Sequence, residues 1–118
     1  MPGSAQAIKH LEAFSHAIIE AATGLVPAIK PQVAFFEQHG PEGLRVLSSL
    51  AIEAKQRELM VIMDAKRGDI GTTAQAYAEA WLGPDAIFAA DAMTLNPYLG
   101  YESLEPFIHR ARQTLSGV

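Results

Sequence analysis

The sequence predicts an α/β fold built on short parallel strands, and three observations predict it. Apolar runs of strand length near residues 25–29, 59–63 and 86–94 alternate with segments whose apolar residues recur at helical spacing. The runs are apolar on both faces, as parallel strands covered on both sides are. The middle run is followed at once by alternating charges, Asp64-Ala-Lys-Arg-Gly-Asp69, where a turn of Gly, Asn or Ser would be usual.

The elements follow in order. Ser4 is the expected N-cap of a helix reaching about Ala22, with Ile8, Leu11, Phe14, Ile18 and Ile19 along one side, and Gly24 stops it. Leu25–Ile29 is a strand closed by Lys30-Pro31. Pro41 opens a second helix to about Lys55, and residues 59–63 form the second strand. Thr72 and Thr73 lead a third helix to about Leu82, ended by Gly83-Pro84. Ala86 to Asp91, continuing to Thr94, is the third strand, and Ser103 caps a last helix to about Thr114. Strands alternating with helices imply right-handed crossovers and a parallel sheet. A complete (β/α)8 barrel takes roughly 250 residues. These 118 residues read as a slice of one: its second, third and fourth strands with their helices, in a single partial domain lacking the first strand and strands five to eight.

Composition narrows the function. Apolar residues make up 49% and charged residues 19%, the balance of a folded globular chain. The net charge of −4, with no basic block, argues against nucleic acid and anionic membrane as partners. There is no cysteine, hence no disulfide and no thiolate site. No apolar stretch is long enough to span a membrane, and the N-terminus lacks the order of a signal peptide, so a cytoplasmic location is expected. His10, His16, His39 and His109 make no metal-ligand pattern. Nucleotide-binding glycine motifs and a nucleophile elbow are absent too.

The chemistry concentrates at one rim. Residues i and i+2 of a strand share a face, so Asp64 and Lys66 can both point inward at the strand's C-terminal end, where α/β proteins place ligands. Lys30 ends the neighbouring strand, about 4.8 Å away. A chain of alternating charges, Lys30–Asp64–Lys66–Asp69, is therefore expected, each member held in its charged form by the next. Gly68 and Gly71 suit a tight strand-to-helix turn. Thr72 and Thr73 can bind an anion or simply cap the helix. Tyr77 and Trp81, four apart, read as packing.

Asp64-Ala-Lys-Arg-Gly-Asp-Ile-Gly-Thr-Thr73 resembles the D-x-K-x-x-D signature of the orotidine 5′-phosphate decarboxylase family. Ala28-Ile-Lys-Pro-Gln-Val-Ala-Phe-Phe-Glu37 and Asn96-Pro-Tyr-Leu-Gly100 resemble its longer bacterial subfamily, and the resemblance runs from about residue 8 onward. It implies a TIM barrel, a homodimer and a decarboxylation of orotidine 5′-phosphate to UMP that uses no cofactor and no metal. It also implies residue roles. Lys66 would protonate C6, Asp69 would face the substrate carboxylate, and Lys30 and Asp64 would orient Lys66 and touch the ribose. Ile70 and Thr73 would join the substrate-binding residues, with Asp69 and Thr73 reaching the partner's site. The family's ribose-binding Asp on the first strand and its phosphate-binding loops near the last strands have no counterpart here, so this chain alone is expected to be inactive or nearly so. Two other readings stand beside this one. A sister sugar-phosphate lyase using Mg²⁺ would want a carboxylate where Lys30 stands. A small non-catalytic α/β module or relic would keep these charges as a solvated rim.

Overall fold

The computed structural model describes residues 1–118. Helix α1 (Ala5–Ala22) is followed by strand β1 (Ala28–Ile29), helices α2 (Ala34–Glu37) and α3 (Pro41–Gln56), and strand β2 (Met60–Arg67). Helix α4 (Gly71–Trp81), strand β3 (Ala92–Leu95) and helix α5 (Glu105–Thr114) complete the chain. The strands form one parallel sheet in the order β1-β2-β3. Consecutive strands are neighbours joined through helices, the βαβ arrangement the alternating pattern predicts. Beyond β3, Gly117 starts another parallel pairing against Ala92. No helix is long and apolar enough to cross a membrane.

The core lies on one side of β2. Val61, Met63 and Ala65 are buried there in one cluster with Leu47, Ala51 and Ala54 of α3, Ile19 of α1, Ala74 and Ala78 of α4 and Phe107 of α5. The alternate residues look the other way, and Met60 is 52% exposed. The molecule measures 41 × 34 × 22 Å, a slab two layers thick.

Several boundaries depart from the pattern for identifiable reasons. β1 is only two residues long, although its pairing resumes at Gln32, opposite Asp64. β2 does not stop at Met63 but runs through Asp64 and Lys66 to Arg67. The third strand starts at Ala92, not Ala86. Before it, Gly83 has φ +99°, Ala89 has φ +46°, and Phe88 turns aside to stack on Trp81 with ring centroids 4.1 Å apart. The turn that places this ring on Trp81 is incompatible with an extended backbone there. Ala34 to Glu37 form a short helix, α2, that periodicity cannot reveal in so few residues. Ser4 caps α1 as expected, its hydroxyl accepting from the Ala7 N–H. Ser103 does not cap α5: it lies in a 3₁₀ turn, and its hydroxyl donates to the Gly100 carbonyl. Neither Thr72 nor Thr73 caps α4, whose N-cap is Ile70.

Candidate functional site

β2 ends in an irregularity that builds the site. Met63 pairs with Met93 and Arg67 with Leu95, so four steps along β2 are matched by two along β3. The surplus residues bulge, and Lys66 adopts φ +50°, a left-handed conformation that costs a non-glycine residue about 1 kcal/mol or more. On the β1 side the Asp64 N–H donates to Pro31 O at 3.0 Å, and Val33 N donates to Asp64 O at 3.3 Å. The backbone of Asp64 is thereby fixed while its side chain turns to the open face of the sheet.

Four side chains converge on the Asp64 carboxylate. Lys30 Nζ donates to Oδ2 at 2.6 Å and Gln32 Nε2 to the same oxygen at 3.1 Å. The Thr94 hydroxyl donates to Oδ1 at 2.8 Å, and the Lys66 ammonium pairs with that oxygen too. Thr94 Oγ1 also accepts the Lys66 N–H at 3.1 Å, so one hydroxyl ties the backbone of the bulge to the carboxylate. The Asp64 side chain is 8% exposed, against 54% for Lys30 and 62% for Lys66. A buried carboxylate with two ammonium partners stays ionised: the hydrogen bond from Lys30, then those from Lys66 and Thr94, hold its pKa well below the ordinary range against the opposing effect of burial. No buried side-chain polar atom in the molecule lacks a partner.

The expected chain of four alternating charges closes only in part. Lys30, Asp64 and Lys66 meet, but Asp69 does not join them: its Oδ1 accepts the N–H of Ile70 at 2.7 Å, and no cation pairs with it. The intervening turn separates them, because the backbone leaves the sheet after Arg67. Ile70 and Thr73 are exposed on the first turn of α4 and touch none of the network. At Gly68 a side chain would meet the Asn96 carbonyl at 2.9 Å, so the close approach of the two loops requires glycine there.

Thr94 was not singled out by sequence reasoning, and neither was Arg67 as a structural residue. Thr94 sits at the end of an apolar run, where a threonine reads as an ordinary strand residue; the available signal was its place on the strand next to the Asp64 motif. The Arg67 side chain, 21% exposed, pairs with Glu37 of α2 and donates to Ala65 O at 3.0 Å. Its guanidinium lies 5.2 Å from the Trp81 ring centre and 5.8 Å from that of Tyr77. Tyr77 and Trp81 are packing residues, as their spacing suggested: both pack on the core, Trp81 stacks on Phe88, and this cation lies over both rings.

An ammonium held beside a buried carboxylate on an open sheet face can do two things. It can neutralise negative charge forming nearby, and it can give up a proton to it. With Lys30 on Oδ2 and Lys66 on Oδ1, both carboxylate oxygens already face cationic partners.

The chain resembles known proteins over most of its length. The profile of the Orotidine 5'-phosphate decarboxylase / HUMPS family matches residues 8–118. An orotidine 5′-phosphate decarboxylase of Streptomyces coelicolor is 48% identical over 108 residues, 92% of this chain and 39% of the relative. One from Rhodopirellula baltica is 50% identical over 105 residues, 86% of this chain and 35% of the relative. Among solved structures, one from Streptomyces avermitilis assigned to the same enzyme superposes with a TM-score of 0.90 at 47% identity, covering 93% of this chain and 39% of that one. The Leishmania donovani OMP decarboxylase superposes at 0.71 with 36% identity, over 92% and 41%. The chain spans about two fifths of the length of these relatives.

Proposed function

Since the chain belongs to the Orotidine 5'-phosphate decarboxylase / HUMPS family, we propose that it supplies the proton-donating part of an orotidine 5′-phosphate decarboxylase active site. One observation carries the reading: the Lys66 ammonium is held on a carboxylate that Lys30, Gln32 and Thr94 keep in place. In this reading residues 1–118 form the second to fourth strands of a TIM barrel and their helices.

The reaction needs what such an ammonium provides. When the bond from C6 to the carboxylate breaks, CO₂ leaves and the electron pair stays on C6, a vinyl carbanion with no adjacent electron sink. Lys66 stabilises that charge and transfers an Nζ proton to C6, forming the C–H bond of UMP and leaving a neutral amine. Asp64 aims the ammonium, and Lys30 balances the charge of Asp64 and, with it, contacts the ribose. Asp69 faces the substrate carboxylate. Ile70 and Thr73 join the substrate-binding residues, with Asp69 and Thr73 reaching the site of a second copy in a homodimer. Their separation from the Lys30–Asp64–Lys66 network, and the exposure of Ile70 and Thr73, support that assignment. The reading calls on no cofactor. A sister sugar-phosphate lyase using Mg²⁺ is the weaker reading, because the Lys30 ammonium takes the carboxylate oxygen that the cation would need.

The test is a graft. Residues 8–118 replace the matching segment of the Streptomyces coelicolor relative, and release of CO₂ from orotidine 5′-phosphate is measured. A folded graft that turns over substrate, and loses at least about 100-fold in kcat on Lys66→Ala, supports the reading. A folded graft without activity, or one indifferent to Lys66→Ala, sinks it.

A further inference from the structure

We infer that Arg67 is a positioning residue: clamped on the helix side of β2, its guanidinium holds the bulge that brings the Lys66 ammonium against Asp64. The catalytic half of this inference rests on the function proposed above, whereas its structural half does not.

Lys66 and Arg67 are consecutive and serve opposite faces of the sheet. Lys66 sits at the top of the bulge with φ +50°, a conformation its neighbours must enforce. Thr94 engages it from the open face through the Lys66 N–H. From the other face the restraint is Arg67. The Arg67 Nη1 donates to the carbonyl of Ala65, which lies inside the bulge, and Nη2 pairs with Glu37. The flat guanidinium rests on the rings of Trp81 and Tyr77. Its own carbonyl accepts the Asn96 N–H at 2.8 Å, the first link of the resumed ladder with β3. One side chain thus connects the bulge to α2 and α4 at once. Lysine cannot replace it, because an ammonium has no planar fork to serve a carbonyl and a carboxylate while stacking on two rings. Nothing in this arrangement places Arg67 in contact with substrate; it acts through Lys66.

The experiment follows the Asp64 carboxyl by NMR titration in this chain, comparing the wild type with Arg67→Met and Arg67→Lys, and uses circular dichroism to verify folding. If Arg67 aims Lys66, both variants release the ammonium, and the Asp64 titration rises by about half a pH unit or more while Lys30 keeps it below the ordinary range. The titration is read only over the pH range in which circular dichroism shows the variant folded, so that a loss of stability alone leaves it unmoved. In the graft, Arg67→Lys then lowers kcat about tenfold or more and changes KM less than twofold, since a displaced proton donor affects the chemical step and not binding. An Asp64 titration unchanged in folded Arg67→Lys overturns the inference, and that variant decides the matter even if Arg67→Met does not fold. A graft that is inactive with Arg67 intact defeats the functional reading and leaves the titration result standing.

Discussion

The buried end of β2 and the loop that follows it carry the two carboxylates of one six-residue motif, and the fold treats them in opposite ways. Asp64 is 8% exposed at its side chain and surrounded by Lys30, Gln32, Lys66 and Thr94, drawn from all three strands and their ends. Asp69, five residues on, is bound only to the N–H of the next residue. Both are aspartates spaced from the same lysine, so residue type does not separate them. The backbone does: Asp64 is fixed by its N–H and carbonyl to Pro31 and Val33 on the β1 side, whereas Asp69 lies past the point where the ladder ends. A carboxylate whose partners all lie within the chain serves the chain's own order. Asp69, with a single local bond, adds little to that order.

The sharpest way to break this comparison is to remove the residue that Asp64 holds. Lys66→Ala in the graft should lower kcat by at least about 100-fold, while the thermal midpoint of the unmodified chain carrying the same change moves little, because the ammonium is 62% exposed. Changing the two carboxylates themselves should separate them by stability. Asp64→Asn is expected to lower the thermal midpoint by roughly 5 °C, and Asp69→Asn to leave it within about 1 °C, as measured by circular dichroism. Equal effects would mean that the two are held alike. A smaller effect concerns the backbone: Lys66→Gly should be more stable than Lys66→Ala by about 1 kcal/mol in denaturant unfolding, since φ +50° strains alanine and not glycine.

The smallest effect expected is on the acid limb of stability. The folded chain holds the Asp64 carboxyl below its ordinary value. The stabilisation its partners confer is therefore complete above the unfolded value of about 3.9 and is lost as pH falls toward the folded one. Unfolding midpoints followed down through that window should decline in the wild type and decline less in Asp64→Asn. Arg110 lowers the Asp85 carboxyl in the same direction, but that side chain is 70% exposed, so Asp85→Asn should flatten the decline less.

Much of this was legible in the sequence, and the exceptions follow a pattern. The order of the longer helices and the parallel strands could be read because those helices carry apolar residues at helical spacing and each strand lies in or starts from an apolar run. The meeting of Lys30, Asp64 and Lys66 could be read because strand-end residues of a parallel sheet share a rim. What could not be read depends on particular side-chain contacts that spacing does not reveal. The start of β3 is set by Phe88 stacking on Trp81, and Ser103 is drawn back to Gly100 instead of to α5. The bulge at Lys66 leaves no sequence mark, since lysine is an unlikely residue for a left-handed position. Arg67 reads as one more charge in a charged loop until its rings and its carbonyl are seen.

Trp81 is the only tryptophan in the chain. It is 4% exposed, with Phe88 stacked on it and the Arg67 guanidinium 5.2 Å away. The indole is therefore a built-in optical reporter placed directly behind the motif. Any event that shifts the bulge also changes the cation beside the ring, and with it the colour of the emitted light. The state of the site on one face of the sheet can thus be followed from the other, without a label and without a substrate.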